Sequence, residues 1–316
     1  RRHRQARVSV MGRPKHSRSE PVDGLLLLNK PVGLTSNQAL QKVKRLLNAR
    51  KAGHTGSLDP AATGMLPLCF GEATKVCAFL LDADKTYRVT AKLGTATDTG
   101  DATGTEIAAA DVPDLSATQW DEVLQGFRGD SMQVPPMYSA LKKDGRRLYE
   151  LARKGETVER PPRPIRIDSI ELLEAAGRRL VFRVRCSKGT YIRSLVEDIA
   201  KAAGTVAHTF RLHRETVGDF PADAMLELSR AEEIAERDGA ELREQLLPAD
   251  RALSALPDVR LDAGEAERFR GGQAVPTAAG GATGLARVYG AGQEFMRVGE
   301  VSRNGQEAPR RVHRVA

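Results

Sequence analysis

The segment from Gly53 to Pro67 constrains the fold of this chain more than any other stretch of its sequence. It holds three glycines and two prolines within fifteen residues, so its backbone is fixed where proline stands and unusually free where glycine stands. Such a segment can join a helix to a strand and let a second molecule approach the main chain closely. Asp59 is its only acidic residue. An Asp-Pro pair is commonly a turn whose carboxylate caps neighbouring amides, and that ordinary role stays open for Asp59.

Hydrophobic periodicity in the flanking sequence predicts alternating strands and helices. The apolar run Leu25–Leu28 indicates a short strand, and Ser36 can cap the helix that follows it. A second helix is expected over Glu72–Leu81. Apolar and polar residues alternate through Lys85–Leu93, which is typical of a half-buried strand. Tyr87 lies on the apolar side of that strand, where an aromatic side chain is by default part of the core.

The same patterns continue towards residue 248. The remaining predicted elements, in chain order, are a helix started by the capping box Ser116-x-x-Gln119, a short helical stretch at Leu148–Ala152, strands over 165–169 and 180–186, a helix after Gly189 with Ile192, Leu195, Val196 and Ile199 inward, a strand near Thr205–Leu212 and a helix starting at Ser229-x-x-Glu232. Strands interleaved with helices predict a domain that mixes both kinds of element.

Composition separates the chain into three regions. Residues 1–23 are polar and basic without periodicity, so we expect a disordered tail. Residues 24–248 carry the predicted strands and helices of one domain. Residues 249–316 consist of short apolar stretches between glycine-rich turns, which predicts a small β-rich module. The stretch from about 130 to 164 is basic and punctuated by proline, and we interpret it as an insertion in the larger domain.

The positive charge of the chain is local. The net charge is +8, and residues 1–24 and 138–166 each carry five more positive than negative charges, whereas the remainder is slightly acidic. Two basic segments of this kind favour contact with phosphate groups. A solvated surface would carry the same charges, and that interpretation stays open.

Several protein classes are excluded by composition. No apolar run approaches the roughly 20 residues that a membrane-spanning helix needs. The three cysteines are an odd number without a C-x-x-C pair, so neither a disulfide framework nor a thiolate zinc site is indicated. No apolar stretch follows the basic N-terminal residues, so we expect no secretory signal and a cytoplasmic location.

A second group of unusual residues lies at a predicted strand–turn–helix junction. In Cys186–Leu195, Tyr191 and Arg193 stand near the start of the helix, so they project at the carboxyl end of the preceding strand, where sites are common. An amphipathic packing residue and a surface arginine would occupy the same positions. The turn Lys30-Pro31-Val32-Gly33 has an equally simple interpretation as a connection from strand to helix.

Taken together, these motifs resemble one family. Four of them occur in the family's order and spacing, namely Lys-Pro-x-Gly-x-Thr-Ser at 30–36, Gly-His-Thr-Gly-x-Leu-Asp-Pro-x-Ala-Thr-Gly-x-Leu-Pro at 53–67, Lys-x-Tyr-Arg-Val at 85–89 and Ser-Lys-Gly-Thr-Tyr-Ile-Arg at 187–193. They resemble the TruB family of tRNA pseudouridine synthases, of bacterial type. The resemblance runs from about Gly24 to Val217. It is weaker near the C-terminus, where it rests on Gly271–Val275 and Pro309–Arg311.

The resemblance implies the fold and the domains. It implies an α+β pseudouridine-synthase fold, with a central, mainly antiparallel mixed sheet flanked by helices and a small β-rich C-terminal PUA-like domain. Residues 24–248 would then form the catalytic domain, with an RNA-clamping insertion at about 130–164. Residues 249–316 would be the PUA-like RNA-binding domain.

The resemblance also implies the reaction and its catalytic residues. The enzyme would isomerise uridine 55 in the T-loop of tRNA, and no cofactor is expected, because no atom enters or leaves. Asp59 would be the essential carboxylate, acting either as a nucleophile or as a base that removes the C2′ proton. Arg193 would keep Asp59 ionised and orient both of its oxygens. Tyr87 would stack on the everted base, at about 1 to 3 kcal/mol.

Other family positions imply contacts with the substrate. Tyr191 and Leu212 would line the substrate pocket, and His54 would hold displaced bases of the RNA loop. Lys30 would support either the active-site loop or a phosphate. The basic insertion would close over the RNA, although an exposed charged linker remains an alternative.

Two rival functions remain open at this point. One is the related catalytic subunit that modifies RNA through guide RNAs, and the other is an RNA-binding factor that assists tRNA folding. We favour the free-standing enzyme, because the basic insertion is present and no long charged tail follows the C-terminal module. The tRNA T-arm is the expected partner, without a membrane, a guide RNA or an obligate protein partner.

Overall fold

The fold is seen in a computed structural model that describes residues 21–276, 283–302 and 306–309. The predicted disordered tail therefore lies outside the described residues up to position 20, as do the last two residues of Pro309–Arg311. No described helix is long and apolar enough to cross a membrane.

Eighteen strands and eight α-helices make up the described part of the chain. The strands are β1 Gly24–Lys30, β2 Ala52–His54, β3 Thr63–Phe70, β4 Lys85–Leu93, β5 Thr95–Thr97, β6 Glu106–Ala109, β7 Gly129–Gln133, β8 Lys142–Lys143, β9 Arg146–Arg147, β10 Arg163–Ala176, β11 Arg179–Cys186, β12 Ala207–Val217, β13 Leu226–Glu227, β14 Asp258–Arg260, β15 Val275–Pro276, β16 Gly284–Tyr289, β17 Phe295–Val301 and β18 Gln306–Pro309. The helices are α1 Ser36–Leu46, α2 Cys77–Asp82, α3 Ala117–Gln125, α4 Leu148–Ala152, α5 Ile192–Ala202, α6 Leu228–Arg237, α7 Gly239–Glu244 and α8 Ala263–Arg270.

A nine-stranded mixed sheet forms the centre of the larger domain. Its order is β13-β1-β3-β12-β4-β11-β10-β7, and β2 pairs with β3 outside this path. The pairs β1–β13 and β12–β3 are parallel, and the others are antiparallel. The predicted α+β architecture with a mainly antiparallel mixed sheet is confirmed.

The two faces of this sheet have different surroundings. Leu26 and Leu28 of β1 pack into the core that the sheet shares with α1, α3, α5 and α6. Leu25 and Leu27 point to the opposite face, where they join a second core that includes Val298 of the C-terminal module. The run of four leucines is therefore buried on both faces, as an unbroken apolar run predicts. Strand β4 instead alternates, and only one of its faces is apolar.

Several predicted elements match the structure, and others need correction. Strand β4 has the predicted bounds, and Ser116 caps α3 with Gln119 in the expected capping box. The cap of α1 is Thr35, whereas Ser36 is the first helical residue. The helix expected over Glu72–Leu81 is divided into a 3-10 turn and the short α2.

The start of α6 also differs from the prediction. The helix begins at Leu228, and the residue before it provides no side-chain cap, so the Ser229-x-x-Glu232 pattern is not a capping box. Sequence pattern alone does not show which of two neighbouring residues leaves the helical conformation, and helix starts are therefore easily misplaced by one residue.

The C-terminal module forms a separate small sheet. Its strand order is β14-β16-β17-β18-β15, and α8 packs its Phe269 into the module's own core. The strands expected over 285–289 and 295–301 are β16 and β17. In the larger domain, β7 pairs with β10, so residues 130–133 of the predicted insertion belong to the central sheet.

Candidate active site

Asp59 lies in the loop that connects β2 to β3, and neighbouring elements fix the backbone on both sides of it. The hydroxyl of Ser36 accepts a hydrogen bond from Leu58 N at 2.8 Å and donates one to Leu58 O at 3.1 Å. The amide of Gly33 donates to Pro60 O at 2.8 Å. The start of α1 and the turn before it therefore position the residues that flank Asp59, and the carboxylate itself remains exposed.

Asp59 and Arg193 form an ion pair. Nη2 of Arg193 lies 3.1 Å from Oδ2 of Asp59, and the two side chains are 8% and 47% exposed, respectively. A buried guanidinium therefore faces a carboxylate that solvent and substrate can reach. Because the arginine is shielded, the attraction is stronger than in an ordinary surface ion pair.

The other contacts of Arg193 explain its fixed position. Nη1 donates to Thr99 O at 2.7 Å, and Nη2 also donates to Tyr138 O at 2.6 Å. The ion pair thus joins Nη2 to Oδ2, while Nη1 donates to a backbone carbonyl. That the guanidinium orients both carboxylate oxygens stays a prediction. Tyr138 stands at the start of the basic segment 138–166, so this segment is attached directly to the ion pair.

Lys30 is fully buried at the end of β1 beside the same loop. Its Nζ donates to Pro31 O at 2.9 Å, to Leu34 O at 2.7 Å and, more weakly, to Pro60 O at 3.5 Å. Burial lowers the pKa of Lys30 to about 8, and the nearby Asp59 carboxylate opposes that shift. Of the two expected roles, these contacts correspond to support of the active-site loop.

Arg214 is a site residue that the sequence did not single out. It is almost completely buried in β12, where Nε donates to Met65 O at 2.6 Å and Nη2 donates to Gly56 O at 2.9 Å. One guanidinium therefore links the two ends of the Asp59 loop. The strand predicted near Thr205–Leu212 stops two residues before Arg214, whereas the observed β12 continues to Val217. A longer strand with a charge at an inward position is the signal that could identify Arg214.

The main chain of β12 also approaches this loop very closely. Gly64 pairs with Arg214 in parallel register, and its φ of +104° lies in the left-handed region. A Cβ at position 64 would lie 2.2 Å from Arg214 O. Glycine is therefore required here both for the conformation and for the space.

Tyr87 is buried in β4, opposite Arg214 in the antiparallel register. Burial raises the pKa of the Tyr87 phenol, and the adjacent Arg214 guanidinium opposes the shift. The side chain is also part of the main core. The structure therefore places Tyr87 next to the site while leaving little of its ring exposed.

Tyr191 and Leu212 stand at the edges of the same site. The side chain of Gln133 holds the backbone of Tyr191 by accepting from Tyr191 N at 2.8 Å and donating to Tyr191 O at 3.1 Å. Burial raises the pKa of the Tyr191 phenol. Leu212 is half-buried and packs against the main core. Gln133 is a second positioning residue that the sequence did not reveal.

His54 ends β2 and lies near Arg214. Burial, reinforced by the Arg214 charge, lowers the pKa of His54, which favours its neutral form. Its Nδ1 is buried without a hydrogen-bond partner among the described residues. A buried ring nitrogen without a hydrogen-bond partner is a costly arrangement.

The structure thus brings the predicted site residues to one region of the larger domain. Asp59, Arg193, Lys30 and Tyr87 are linked by contacts or by direct electrostatic influence. No group of three or more potential metal-binding side chains occurs in the described residues. The arrangement offers one reachable carboxylate, a buried cation beside it and a rigid loop.

Comparison with protein families gives matches along nearly the whole chain. Residues 44–192 match the TruB family pseudouridylate synthase N-terminal domain, and residues 193–254 match the tRNA pseudouridylate synthase B C-terminal domain. Residues 257–312 match the pseudouridine synthase II TruB C-terminal domain.

Curated relatives are similar over almost their full length. The chain is 52% identical over 295 residues to the tRNA pseudouridine synthase B of Dechloromonas aromatica, covering 93% of this chain and 97% of that protein. It is 48% identical over 313 residues to the protein of the same name from Tolumonas auensis, covering 96% of each.

Solved structures of a related kind share the fold. A crystal structure of a Cbf5-Nop10-Gar1 complex matches with a TM-score of 0.68 and 30% identity, over 88% of this chain and 78% of that one. An H/ACA RNP bound to a substrate RNA containing 2′-deoxyuridine matches with a TM-score of 0.67 and 28% identity, over 88% and 78% of the two chains.

Proposed function

The chain belongs to the TruB family of pseudouridine synthases, and we propose that its substrate is the T-loop uridine of tRNA, uridine 55. It is an isomerase that forms pseudouridine in tRNA. The full-length similarity to proteins named tRNA pseudouridine synthase B supports the choice of tRNA. The choice of the T-loop uridine rests on the resemblance of the chain's motifs to those of the family.

One observation carries the assignment of the catalytic residues. Asp59 is an exposed carboxylate that contacts a buried arginine, and its loop is fixed by Ser36, Lys30 and Arg214. Pre-positioned charge of this kind acts on a substrate without the cost of reorganisation during the reaction. We therefore assign the chemistry to Asp59 and the positioning of its carboxylate to Arg193.

The proposed reaction breaks one bond and forms another within the same nucleotide. The bond between ribose C1′ and uracil N1 breaks, the uracil turns, and C5 joins C1′. The proton on C5 leaves to solvent and N1 gains one, so the product is an isomer and no co-reactant is needed. Asp59 begins the reaction either as a nucleophile or as a base that removes the C2′ proton.

The substrate uridine must leave the RNA stack before it can reach Asp59. Eversion costs a few kcal/mol, which contacts in the pocket must offset. We assign the pocket walls to Tyr87, Tyr191 and Leu212, and we assign the contact with displaced bases to His54, which ends β2 near Arg214. Since Tyr87 is largely buried, it would contact the base with only part of its ring.

Two further regions are proposed to hold the RNA. The segment at 134–162 leaves the central sheet between β7 and β10. In it, the guanidinium carbons of Arg147 and Arg153 lie 5.9 and 5.4 Å from the centre of the Tyr149 ring. We propose that this segment closes over the T-arm. We propose residues 249–316 as the PUA-like RNA-binding domain and residues 24–248 as the catalytic domain.

The free-standing enzyme is preferred to a guide-dependent subunit. Identity to proteins named tRNA pseudouridine synthase B is near 50%, whereas identity to the chain from the Cbf5-Nop10-Gar1 complex is 30%. We therefore propose a cytoplasmic enzyme that acts on tRNA without a guide RNA, an obligate protein partner or a cofactor.

The test uses an unmodified tRNA transcript and the protein alone. Carbodiimide labelling and primer extension should locate pseudouridine at the T-loop uridine and at no other position. A transcript with cytidine at that position is the matched control and should give no signal. Modification at another uridine, or modification only after a guide RNA is added, would contradict the proposal.

A further inference from the structure

A groove on the sheet face opposite the active site combines an exposed aromatic ring with free cations. Phe210 is 47% exposed, and it lines a groove of about 460 Å³ together with residues of β4 and of the turn between β10 and β11. The other residues that line this groove are Thr90, Ala91, Lys92, Ala176, Arg178 and Arg179.

The exposure of Phe210 follows from an irregularity in β12. The register between β12 and β4 passes from Thr209–Ala91 to Arg211–Thr90, so Phe210 is an extra residue at a β-bulge. In a regular strand successive side chains point to alternate faces of the sheet, and a bulge changes the direction of the side chain at the extra residue. Thr90 and Lys92 alternate with the core residues of β4, which places the groove on the face that does not carry Tyr87.

The charges of the groove are of one sign and are largely unneutralised. Lys92 and Arg178 in the groove, and Arg211 next to Phe210 outside its lining, form no ion pair with any carboxylate among the described residues, whereas Arg179 pairs with Glu174. The guanidinium carbon of Arg211 lies 5.7 Å from the centre of the Phe210 ring. No carboxylate lines the described groove. By contrast, Arg183 on the same sheet face is paired with Glu171 and Glu215.

We propose that this groove, with Phe210, Lys92 and Arg178 in its lining and Arg211 beside the Phe210 ring, is a second RNA-binding surface that takes a single-stranded segment. A flat aromatic ring offers a platform on which a base can stack, and the surrounding cations can contact its phosphates. An isolated exposed apolar residue needs no explanation, but an aromatic ring surrounded by unpaired cations has the composition of a nucleic-acid contact.

This proposal adds a second binding surface to the proposed function. It rests on that function in one respect, namely that the substrate is RNA. The groove and the Asp59 loop lie on opposite faces of the sheet, so a nucleotide everted towards Asp59 does not occupy the groove. We assign the RNA segment to another part of the same tRNA, because that tRNA is already held by the same protein at the Asp59 site.

Binding of a labelled twelve-nucleotide oligoadenylate tests the surface, because it contains no uridine to isomerise. Fluorescence anisotropy is measured with the full chain, first alone and then with the catalytic site saturated by an unlabelled T-arm stem-loop. Phe210→Ala should weaken oligoadenylate binding about fivefold or more, the lower end of base-stacking contributions. Arg178→Glu should weaken it and also flatten its dependence on salt.

The controls separate this surface from the catalytic site. Arg237→Glu makes the same charge change on the exposed side of α6 and should leave oligoadenylate binding within about twofold of the parent. Pseudouridine formation on the T-arm stem-loop should be unchanged in Phe210→Ala, so a failure of the proposed function would be recognised separately. The affinity for full-length tRNA should also fall in Phe210→Ala, and an unchanged affinity would contradict the assignment of the segment to the same tRNA.

Three results would overturn the proposal. Oligoadenylate binding could be unaffected by both Phe210→Ala and Arg178→Glu. It could instead be abolished by the T-arm stem-loop, which would place it in the catalytic site. Finally, polyglutamate could bind as tightly as oligoadenylate regardless of Phe210, which would identify a docking site for an acidic protein.

Discussion

Gly64 and Arg214 touch through their main chains, at a point where β12 crosses the end of the Asp59 loop. The Cβ of any other residue at position 64 would lie 2.2 Å from the Arg214 carbonyl oxygen. The same arginine holds Met65 O and Gly56 O through its side chain. The backbone of Arg214 therefore packs against Gly64 at the end of the Asp59 loop, and its side chain links the two ends of that loop.

Gly64→Ala should destabilise the fold and abolish activity, because the new methyl group collides with backbone that cannot move away. Gly284→Ala is the matched control. The φ of Gly284 is +107°, close to the +104° of Gly64, and nothing lies within 4 Å of a Cβ added at Gly284. Urea unfolding should show a loss of stability at least about 1 kcal/mol larger for Gly64→Ala. Equal losses would show that conformation alone, without a collision, requires the glycine.

Arg214→Lys should lower turnover without a comparable loss of RNA affinity. A lysine keeps the charge but has one nitrogen in place of the separate Nε and Nη2 donors that hold Met65 O and Gly56 O, so the two ends of the Asp59 loop are no longer linked. Arg88→Lys, on an exposed position of β4, is the control and should behave like the parent. Single-turnover rates and filter binding check the prediction. A variant with parental turnover would remove Arg214 from the positioning of the loop.

Arg193→Lys tests the ion pair itself. Lysine retains a positive charge near Asp59, but it cannot also maintain the bonds to Thr99 O and Tyr138 O. We expect turnover to fall by about two orders of magnitude, the size of effect seen when a pre-positioned donor is removed, with affinity within a few-fold of the parent. Equal losses of turnover and affinity would indicate a phosphate contact instead.

The pH dependence of stability should reveal the buried Lys30. Its pKa falls from an ordinary value of 10.5 to about 8 on folding, so the folded state binds its proton more weakly than the unfolded state. Below pH 8 the lysine is charged in both states and the full cost of burying that charge is present. The cost disappears as the pH rises from 8 to 10.5, so Lys30 contributes more favourably at high pH, by up to about 3 kcal/mol.

The comparison for this prediction is Lys30→Met. The stability of the parent minus that of Lys30→Met, measured by urea unfolding, should rise between pH 8 and 10.5. Lys85→Met should show the same direction, because burial also lowers the pKa of Lys85 to about 8. A difference that stays constant or falls over this range would contradict the buried charge at Lys30.

Local patterns in the sequence predicted much of the fold. The alternation in Lys85–Leu93 and the capping box at Ser116 depend on neighbouring residues only, and both appear as expected. The cap of α1 was misplaced, because Ser36 is engaged by Leu58, which lies 22 residues away in sequence and in another element. Contacts between distant segments decide such details, and a single sequence does not display them.

In the candidate site too, residues in local motifs were predictable from the sequence, whereas contacts between distant segments were not. Asp59 and Arg193 stand in motifs, so resemblance to a family was enough to pair them before the structure showed a contact. Arg214 and Gln133 act on the main chain of other segments, and neither residue stands in a motif that was identified. The carbonyls of Thr99 and Tyr138, which direct Arg193, are backbone atoms that no residue type could have indicated.

The measurement that tests the account most directly is pseudouridine formation by Asp59→Asn on an unmodified tRNA transcript, with RNA binding measured in parallel. Asparagine keeps the shape of the side chain and removes the negative charge that faces Arg193. We predict that product falls below detection while tRNA affinity stays within a few-fold of the parent. Full turnover by Asp59→Asn would contradict the central claim that this carboxylate carries the reaction.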